Sequence, residues 1–251
     1  MAPPWETEQE RKRVDSRSPY DPIAEIYDSW SRSVTEDVAF YVDEARGAAR
    51  CVVELGVGTG RIALPIARAG IPVIGVDNSE RMLDVCRRRA QRAGVEDLLD
   101  LRLGDLRDPP VDPPASLVLC PFRSYLHLPT DVHRREALRA AWLLLEPGGR
   151  LVFDVFMPAP DDIAETNGRW LEREPGIFER ADWNGAARRF ILRVRGPSTD
   201  TAMELAWTTP ADWQRLLEEA GFEVLACYGW FDRRPYRGGE DTIWVARRPT
   251  L

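Results

Sequence analysis

Between residues 51 and 156 the chain alternates short apolar runs with segments of helical periodicity, and no other feature restricts its fold as much. Residues 51–55, 71–76, 99–103, 116–120 and 151–156 read as buried strands, most of them near-continuous apolar runs bounded by glycine, proline or acid. Residues 60–69, 79–93 and 131–145 read as helices. In the second of these Met82, Cys86 and Ala90 share one stripe; in the third Leu138, Ala141, Trp142 and Leu145 recur at helical spacing. Gly70, Gly94 and Glu146-Pro147-Gly148-Gly149 mark the helix ends. Such alternation calls for a doubly wound α/β fold, a parallel sheet with helices on both faces.

The flanks are read less directly. Residues 1–17 are charged, proline-containing and weakly apolar, and are expected to be a flexible arm. Residues 18–251 are expected to form a single domain. Within it, 18–49 form a helical cap, with Ile23, Ile26 and Tyr27 on one face and Val38, Phe40 and Tyr41 in a second short helix. Residues 158–208 lose the regular texture; strands at 177–180 and 189–194 fit an inserted substrate lid or dimer surface. Thr209-Pro210-Ala211-Asp212 then opens a helix with an N-cap, a proline at the first position and an acid at the third. That helix buries Trp213, Leu216, Leu217 and Ala220, and apolar strands at 222–228 and 242–246 close the chain.

Composition narrows the function. No run of about 18 uncharged apolar residues occurs, and the first residues hold no apolar signal core, so neither a membrane span nor export is expected. With 34 basic and 41 acidic residues the net charge is −7, which repels a phosphate backbone on average and argues against a nucleic-acid partner. The four cysteines, Cys51, Cys86, Cys120 and Cys227, form no Cys-x-x-Cys pair and suit reduced thiols in a cytoplasmic protein. Two histidines, His127 and His133, are too few for a histidine-rich metal centre, and no metal is expected.

The first strand runs into Val53-Glu54-Leu55-Gly56-Val57-Gly58-Thr59-Gly60-Arg61. Three alternating glycines there let the backbone turn tightly and let a ligand approach where a side chain would block it. The plain alternative is an ordinary strand–helix turn. The dinucleotide fingerprint Gly-x-Gly-x-x-Gly is not met, because Arg61 stands where its third glycine belongs. Glu54 also disfavours a pyrophosphate, whereas a nucleoside with an amino-acid tail tolerates both departures. The second strand ends in Gly75-Val76-Asp77, and a carboxylate there can accept both hydroxyls of a ribose. Its other reading, a helix N-cap, is work that Asn78 or Ser79 can do instead. Gly104-Asp105-Leu106 places another acid at the end of the third strand, suited to an adenine amino group or simply to a turn.

These residues, with Asn78-Ser79-Glu80-Arg81-Met82-Leu83 and Leu145-Glu146-Pro147-Gly148-Gly149-Arg150-Leu151, resemble class I S-adenosylmethionine-dependent methyltransferases over residues 20–156 and the last forty or so. The resemblance implies a Rossmann-like, seven-stranded, mostly parallel sheet with an antiparallel last strand, and S-adenosyl-L-methionine as cofactor. It places Glu54, Gly56, Gly58 and Gly60 at the methionine portion and Asp77 at the ribose. It places Met82 on the adenine face and Asp105 with Leu106 at its edge, and adds Asn78 and Phe122 to the cofactor-binding set. Tyr20-Asp21-Pro22-Ile23-Ala24-Glu25-Ile26-Tyr27-Asp28 is similar to the N-terminal helix of small-molecule members such as glycine and amino-sugar N-methyltransferases. By that likeness Tyr20 and Tyr27 line the site; the alternative is that they only pack the helix.

Methyl transfer from a sulfonium needs neither metal nor covalent intermediate; positioning supplies most of the catalysis, with a general base only where the acceptor carries a proton. In Cys120-Pro121-Phe122-Arg123-Ser124-Tyr125-Leu126-His127, His127 is the candidate base or orienting group, set against a packed histidine bonded to backbone. His133 reads as a solvated helix face and Cys120 as a small buried residue. Pro121 departs from the acid or asparagine of many DNA and protein N-methyltransferases, which argues against those acceptors. Trp170, Trp183, Trp207, Trp230 and Tyr236 are candidates for an aromatic wall, and with the arginines they suit an anionic or aromatic small molecule. The expectation is an enzyme, monomeric or homodimeric, that methylates N or O of a small-molecule metabolite. A cofactor-binding module without turnover and a nicotinamide-dependent oxidoreductase are the alternatives.

Overall fold

The computed structural model describes residues 18–32, 35–112 and 114–250. The arm expected over residues 1–17 lies outside them. After a single 3-10 turn at Asp21–Ile23, the described chain runs α1 (Tyr27–Trp30), α2 (Glu36–Arg46), β1 (Val52–Leu55), α3 (Ala63–Arg68), β2 (Val73–Asp77), α4 (Glu80–Ala93) and β3 (Leu99–Leu103). It continues with β4 (Ala115–Cys120), α5 (Asp131–Leu144), β5 (Leu145–Phe156), α6 (Pro160–Thr166) and four strands, β6 (Leu171–Glu174), β7 (Ile177–Asn184), β8 (Arg189–Gly196) and β9 (Thr199–Ala206). It ends with α7 (Pro210–Glu219), β10 (Glu223–Tyr228) and β11 (Asp241–Arg247).

Seven strands pair in the order β10-β11-β5-β4-β1-β2-β3. Only β11 runs against its neighbours, pairing antiparallel with both β10 and β5; the other pairs are parallel. The fold is the Rossmann-like sheet of the class I methyltransferase architecture. Side chains alternate across it. Val53, Leu55, Val118, Leu151 and Phe153 face α5 and α7, while Val52, Leu117, Leu119 and Val152 face Phe40, Tyr41, Ile62 and Ile66. From β1 the chain steps outward to β2 and β3, then crosses back to β4 on the other side of β1. That reversal opens a crevice at the strand carboxyl ends, where open α/β sheets bind ligands.

Two parts depart from expectation. Residues 158–208 hold α6 and a four-stranded antiparallel sheet, β6-β7-β8-β9, rather than two strands in irregular chain. Ile177, Phe190, Val194, Met203 and Leu205 from it join the same core as α5 and α7. The helix expected from Tyr20 is broken into the 3-10 turn and α1. Two backbone acceptors that helix would use are taken: Thr201 Oγ1 donates to the Pro19 carbonyl and Thr199 Oγ1 to the Pro22 carbonyl, each at 2.7 Å.

The loop after β4 is held by a buried acid on β5. Phe122 and Arg123 both adopt left-handed backbone, with φ 55° and 62°, a costly pair for residues with side chains. Asp154 accepts their N–H groups at 2.8 and 3.1 Å and the Tyr41 hydroxyl at 2.5 Å. Burial raises its pKa to about 6 despite these donors. Asp154→Ala strands those donors and is expected to lower stability by about 3 kcal/mol. Urea unfolding measures this; an unchanged midpoint would show that the loop holds itself.

Candidate active site

The crevice holds a cavity of about 430 Å³ whose wall includes Gly56, Gly58, Asp77, Asn78, Met82, Asp105, Leu106 and Phe122. The glycine loop turns sharply onto β2, where the N–H groups of Gly56 and Val57 both donate to the Val76 carbonyl, at 2.8 and 3.0 Å. A Cβ at Gly56 would stand 2.6 Å from Ser124 Oγ. At Gly58, φ is +54° and a Cβ would meet nothing within 4 Å, so a side chain there would occupy the cavity itself.

Asp77 ties the loop to the second strand. Its Oδ2 accepts the Gly58 N–H and its Oδ1 the Ser79 N–H, both at 2.8 Å. Ser79 caps α4 by accepting the Met82 N–H, so Asp77 is not spent on the helix start. Burial raises the Asp77 pKa to about 6, with the backbone N–H groups of Ser79, Gly58 and Asn78 opposing the shift. Each carboxylate oxygen keeps a further lone pair for a hydroxyl donor. Asp105 accepts Arg107 Nε at 2.9 Å and pairs with its terminal nitrogen at 2.6 Å, which lowers the Asp105 pKa.

The N-terminal segment closes the other side. Tyr20 and Tyr27 line the cavity with rings 5.8 Å apart, edge to face. Ser79 Oγ donates to Asp21 at 2.5 Å, Thr59 Oγ1 donates to Asp28 at 2.6 Å, and Arg89 pairs with Asp28 at 2.8 Å. The segment is thus fastened both to the glycine loop and to α4.

Glu54 and Gly60, expected at the cofactor, are not on the cavity wall. A Cβ at Gly60 would lie 2.6 Å from Cys86 Sγ, so this glycine lets α4 approach the loop. Glu54 lies beneath the loop, 1% exposed, its Oε2 without a hydrogen-bond partner, and burial raises its pKa well above the usual carboxylate range. His127 lines the cavity and its Nε2 lies 2.8 Å from the Tyr20 hydroxyl; burial lowers its pKa to about 4, so the ring is neutral. His133, expected on a solvated face, contributes to the cavity wall and lies 2.9 Å from the Thr130 hydroxyl through Nδ1. Ser124 and Arg107 also line it, and neither carries a sequence signal. The Thr130-Asp131-Val132-His133 start of α5 is legible as a cap, and would have turned His133 toward the crevice.

A second cavity, of about 520 Å³, shares Tyr20, Phe122 and His127 with the first. Trp30, Phe156, Trp183 and Phe190 supply its aromatic surface. Of the aromatic wall expected from sequence, Trp183 lines this cavity and Trp207 packs behind it, the rings 5.7 Å apart. Trp170 instead lies under Arg195, and Trp230 packs on Phe231. Tyr236 donates to the Gly239 carbonyl, away from both cavities.

A methyltransferase domain matches residues 52–149. The cypemycin N-terminal methyltransferase of a Streptomyces species is 28% identical over 195 residues, covering 74% of this chain and 78% of that protein. Among solved structures, the CcbJ methyltransferase from Streptomyces caelestis superposes with a TM-score of 0.80 at 28% identity, covering 94% of this chain and 100% of that one. The SAM-bound amino pentose methyltransferase CalS10 from Micromonospora echinaspora shares the fold, with a TM-score of 0.59, 22% identity and 99% coverage of both chains. Fold, glycine loop and relatives define a class I methyltransferase. The chain is an S-adenosylmethionine-dependent enzyme of that class, and S-adenosyl-L-methionine is its cofactor.

The residues present fit that cofactor. The open face of Gly58 admits a ligand against backbone, Asp77 offers acceptors for two hydroxyls, and the apolar Met82 and Leu106 suit a flat ring. Asp77 acts as a full acceptor only when ionised. Affinity for S-adenosylhomocysteine is therefore expected to be complete well above pH 6 and to fall as the pH drops through about 6. Asp77→Asn should weaken binding at least about tenfold at pH 8 and flatten that pH dependence, since charge-assisted hydrogen bonds contribute about 1.5–3 kcal/mol each. Calorimetry at several pH values checks both; equal affinity in variant and parent would remove Asp77 from the site.

Proposed function

We infer that the protein transfers the methyl group by in-line displacement to a nitrogen or oxygen of a small-molecule metabolite held in the second cavity. The observation that carries this reading is the junction at Tyr20, Phe122 and His127, which belong to both cavities. S-adenosylmethionine supplies an electrophilic methyl group on a sulfonium. The chain's own contribution is to hold the acceptor in near-attack geometry and keep water out, which provides several kcal/mol. Residues 158–208 serve as the lid over the acceptor, since α6 and β6–β9 bring Asp162, Trp183, Phe190 and Leu205 to the cavity wall.

The lining favours a basic nitrogen on an apolar body. Arg123 and Arg173 are already paired, with Asp241 at 2.7 Å and Glu179 at 2.5 Å. Asp162 and Glu240 have no cationic partner among the described residues, and burial together with the neighbouring Asp162 raises the Glu240 pKa. A cationic acceptor relieves that arrangement, and an anionic one worsens it. The names of the relatives, an N-terminal methyltransferase and an amino pentose methyltransferase, agree. The neutral His127, bonded to Tyr20 through Nε2, leaves Nδ1 to orient the acceptor, and its lowered pKa makes it a weak proton acceptor. No helix among the described residues is long and apolar enough to cross a membrane. The four cysteines are free, which suits a cytoplasmic enzyme, acting as a monomer or homodimer without a nucleic-acid partner.

Incubation with methyl-labelled cofactor and a panel of apolar amines and alcohols tests the reading. Label in an acceptor together with S-adenosylhomocysteine is the expected result. Binding without transfer to any acceptor would leave a cofactor-holding module, and stabilisation by NAD(H) in place of S-adenosylhomocysteine would point to an oxidoreductase. With the acceptor found, His127→Ala should lower kcat by about ten- to a hundredfold while S-adenosylhomocysteine binds nearly as in the parent. A matching loss of cofactor affinity would make His127 a cofactor-binding residue.

A further inference from the structure

Beside the glycine loop, α3 and α4 enclose a groove of about 260 Å³ lined by Arg61, Leu64, Pro65, Arg68, Arg89, Arg92 and Ala93. The spacing is regular. Leu64, Pro65 and Arg68 on α3 and Arg89, Arg92 and Ala93 on α4 recur at helical spacing, with Arg61 just before α3, so both elements bring arginines to the groove. Two of the four have carboxylates: Arg61 pairs with Asp37 at 2.5 Å and Arg89 with Asp28 at 2.8 Å. Arg68 and Arg92 are exposed and have no acidic partner among the described residues. The groove therefore holds two guanidinium charges in excess, on a protein whose net charge is −7.

We propose that this groove is a binding site for a phosphate-bearing anion, read chiefly by Arg68 and Arg92, with Arg89 beside them. Guanidinium is suited to this ligand because its planar fork offers two parallel donors to one phosphate and is only weakly hydrated. An unpaired fork on each of two neighbouring helices, Arg68 on α3 and Arg92 on α4, suits a chain of phosphates better than a single one. The apolar strip at Leu64 and Pro65 runs beside them and accommodates an organic group attached to the phosphates. The site is built from residues separate from those lining the methyl-donor and acceptor cavities. Arg89 connects it to the glycine loop, donating to the Thr59 carbonyl at 2.8 Å and lying 3.0 Å from the Thr59 hydroxyl.

The test is calorimetric titration of inorganic triphosphate into the full chain saturated with S-adenosylhomocysteine, which keeps the probe out of the cofactor cavity. One-to-one binding that weakens with added salt is expected. The double variant Arg68→Gln/Arg92→Gln should bind triphosphate at least about tenfold more weakly and bind S-adenosylhomocysteine as the parent does, which shows that it is folded. Adenosine triphosphate is titrated in parallel: equal affinity means that the phosphates alone are read, and tighter binding means that the nucleoside uses Leu64 and Pro65. Absence of saturable heat with both probes, or parent-like affinity in the double variant, would overturn the proposal.

Discussion

The hydrogen bond from the Gly58 N–H to the Asp77 carboxylate is the constraint on which the site depends. It joins the turn after β1 to the end of β2, so that two neighbouring strands present one continuous cradle. Everything nearby is arranged to keep this carboxylate available. Ser79 takes over the capping of α4, and burial raises the Asp77 pKa to about 6 against its backbone N–H donors. An acid satisfied by a guanidinium, as Asp105 is by Arg107, would have less to offer a neutral hydroxyl.

A second buried acid plays the corresponding part at the boundary of the two cavities. Asp154 stabilises two consecutive left-handed residues after β4, and that loop carries Phe122 to the boundary of both cavities. Arg61 adds to the brace, its guanidinium lying 4.2 Å from the Phe122 ring while it pairs with Asp37. The N-terminal segment closes over the same point through Tyr20 and His127. Core, loop and cap therefore converge at the junction of the two cavities, where we propose that the methyl group is transferred. The bonds holding the cap come from the glycine loop, α4 and β9.

Much of the scaffold was legible because it obeys local rules. The parallel strands are apolar runs, the helices carry caps and stripes, and the Gly, Asp, Asp series falls at successive strand ends. Long-range bonds account for what was not. The helix expected at Tyr20 yields to hydroxyls from Thr199 and Thr201, nearly two hundred residues away, and no local pattern announces that. In the inserted sheet, β9 alternates buried and exposed side chains from Thr201 to Leu205 and was readable, whereas β6, Leu-Glu-Arg-Glu, has no apolar face to read. Asp154 looked like one more strand residue; its role appears only once Tyr41 and the loop after β4 are folded around it. The charge of the second cavity was equally hidden, since composition counts arginines without showing that Arg123 and Arg173 are already paired.

The most direct test of the account is a crystal structure with S-adenosylhomocysteine bound. Sugar hydroxyls are expected on the Asp77 carboxylate and the thioether sulfur at the boundary formed by Tyr20, Phe122 and His127, open toward the aromatic chamber under β7 and β8. A sulfur directed away from that boundary, or a wall of protein between it and the chamber, would contradict it.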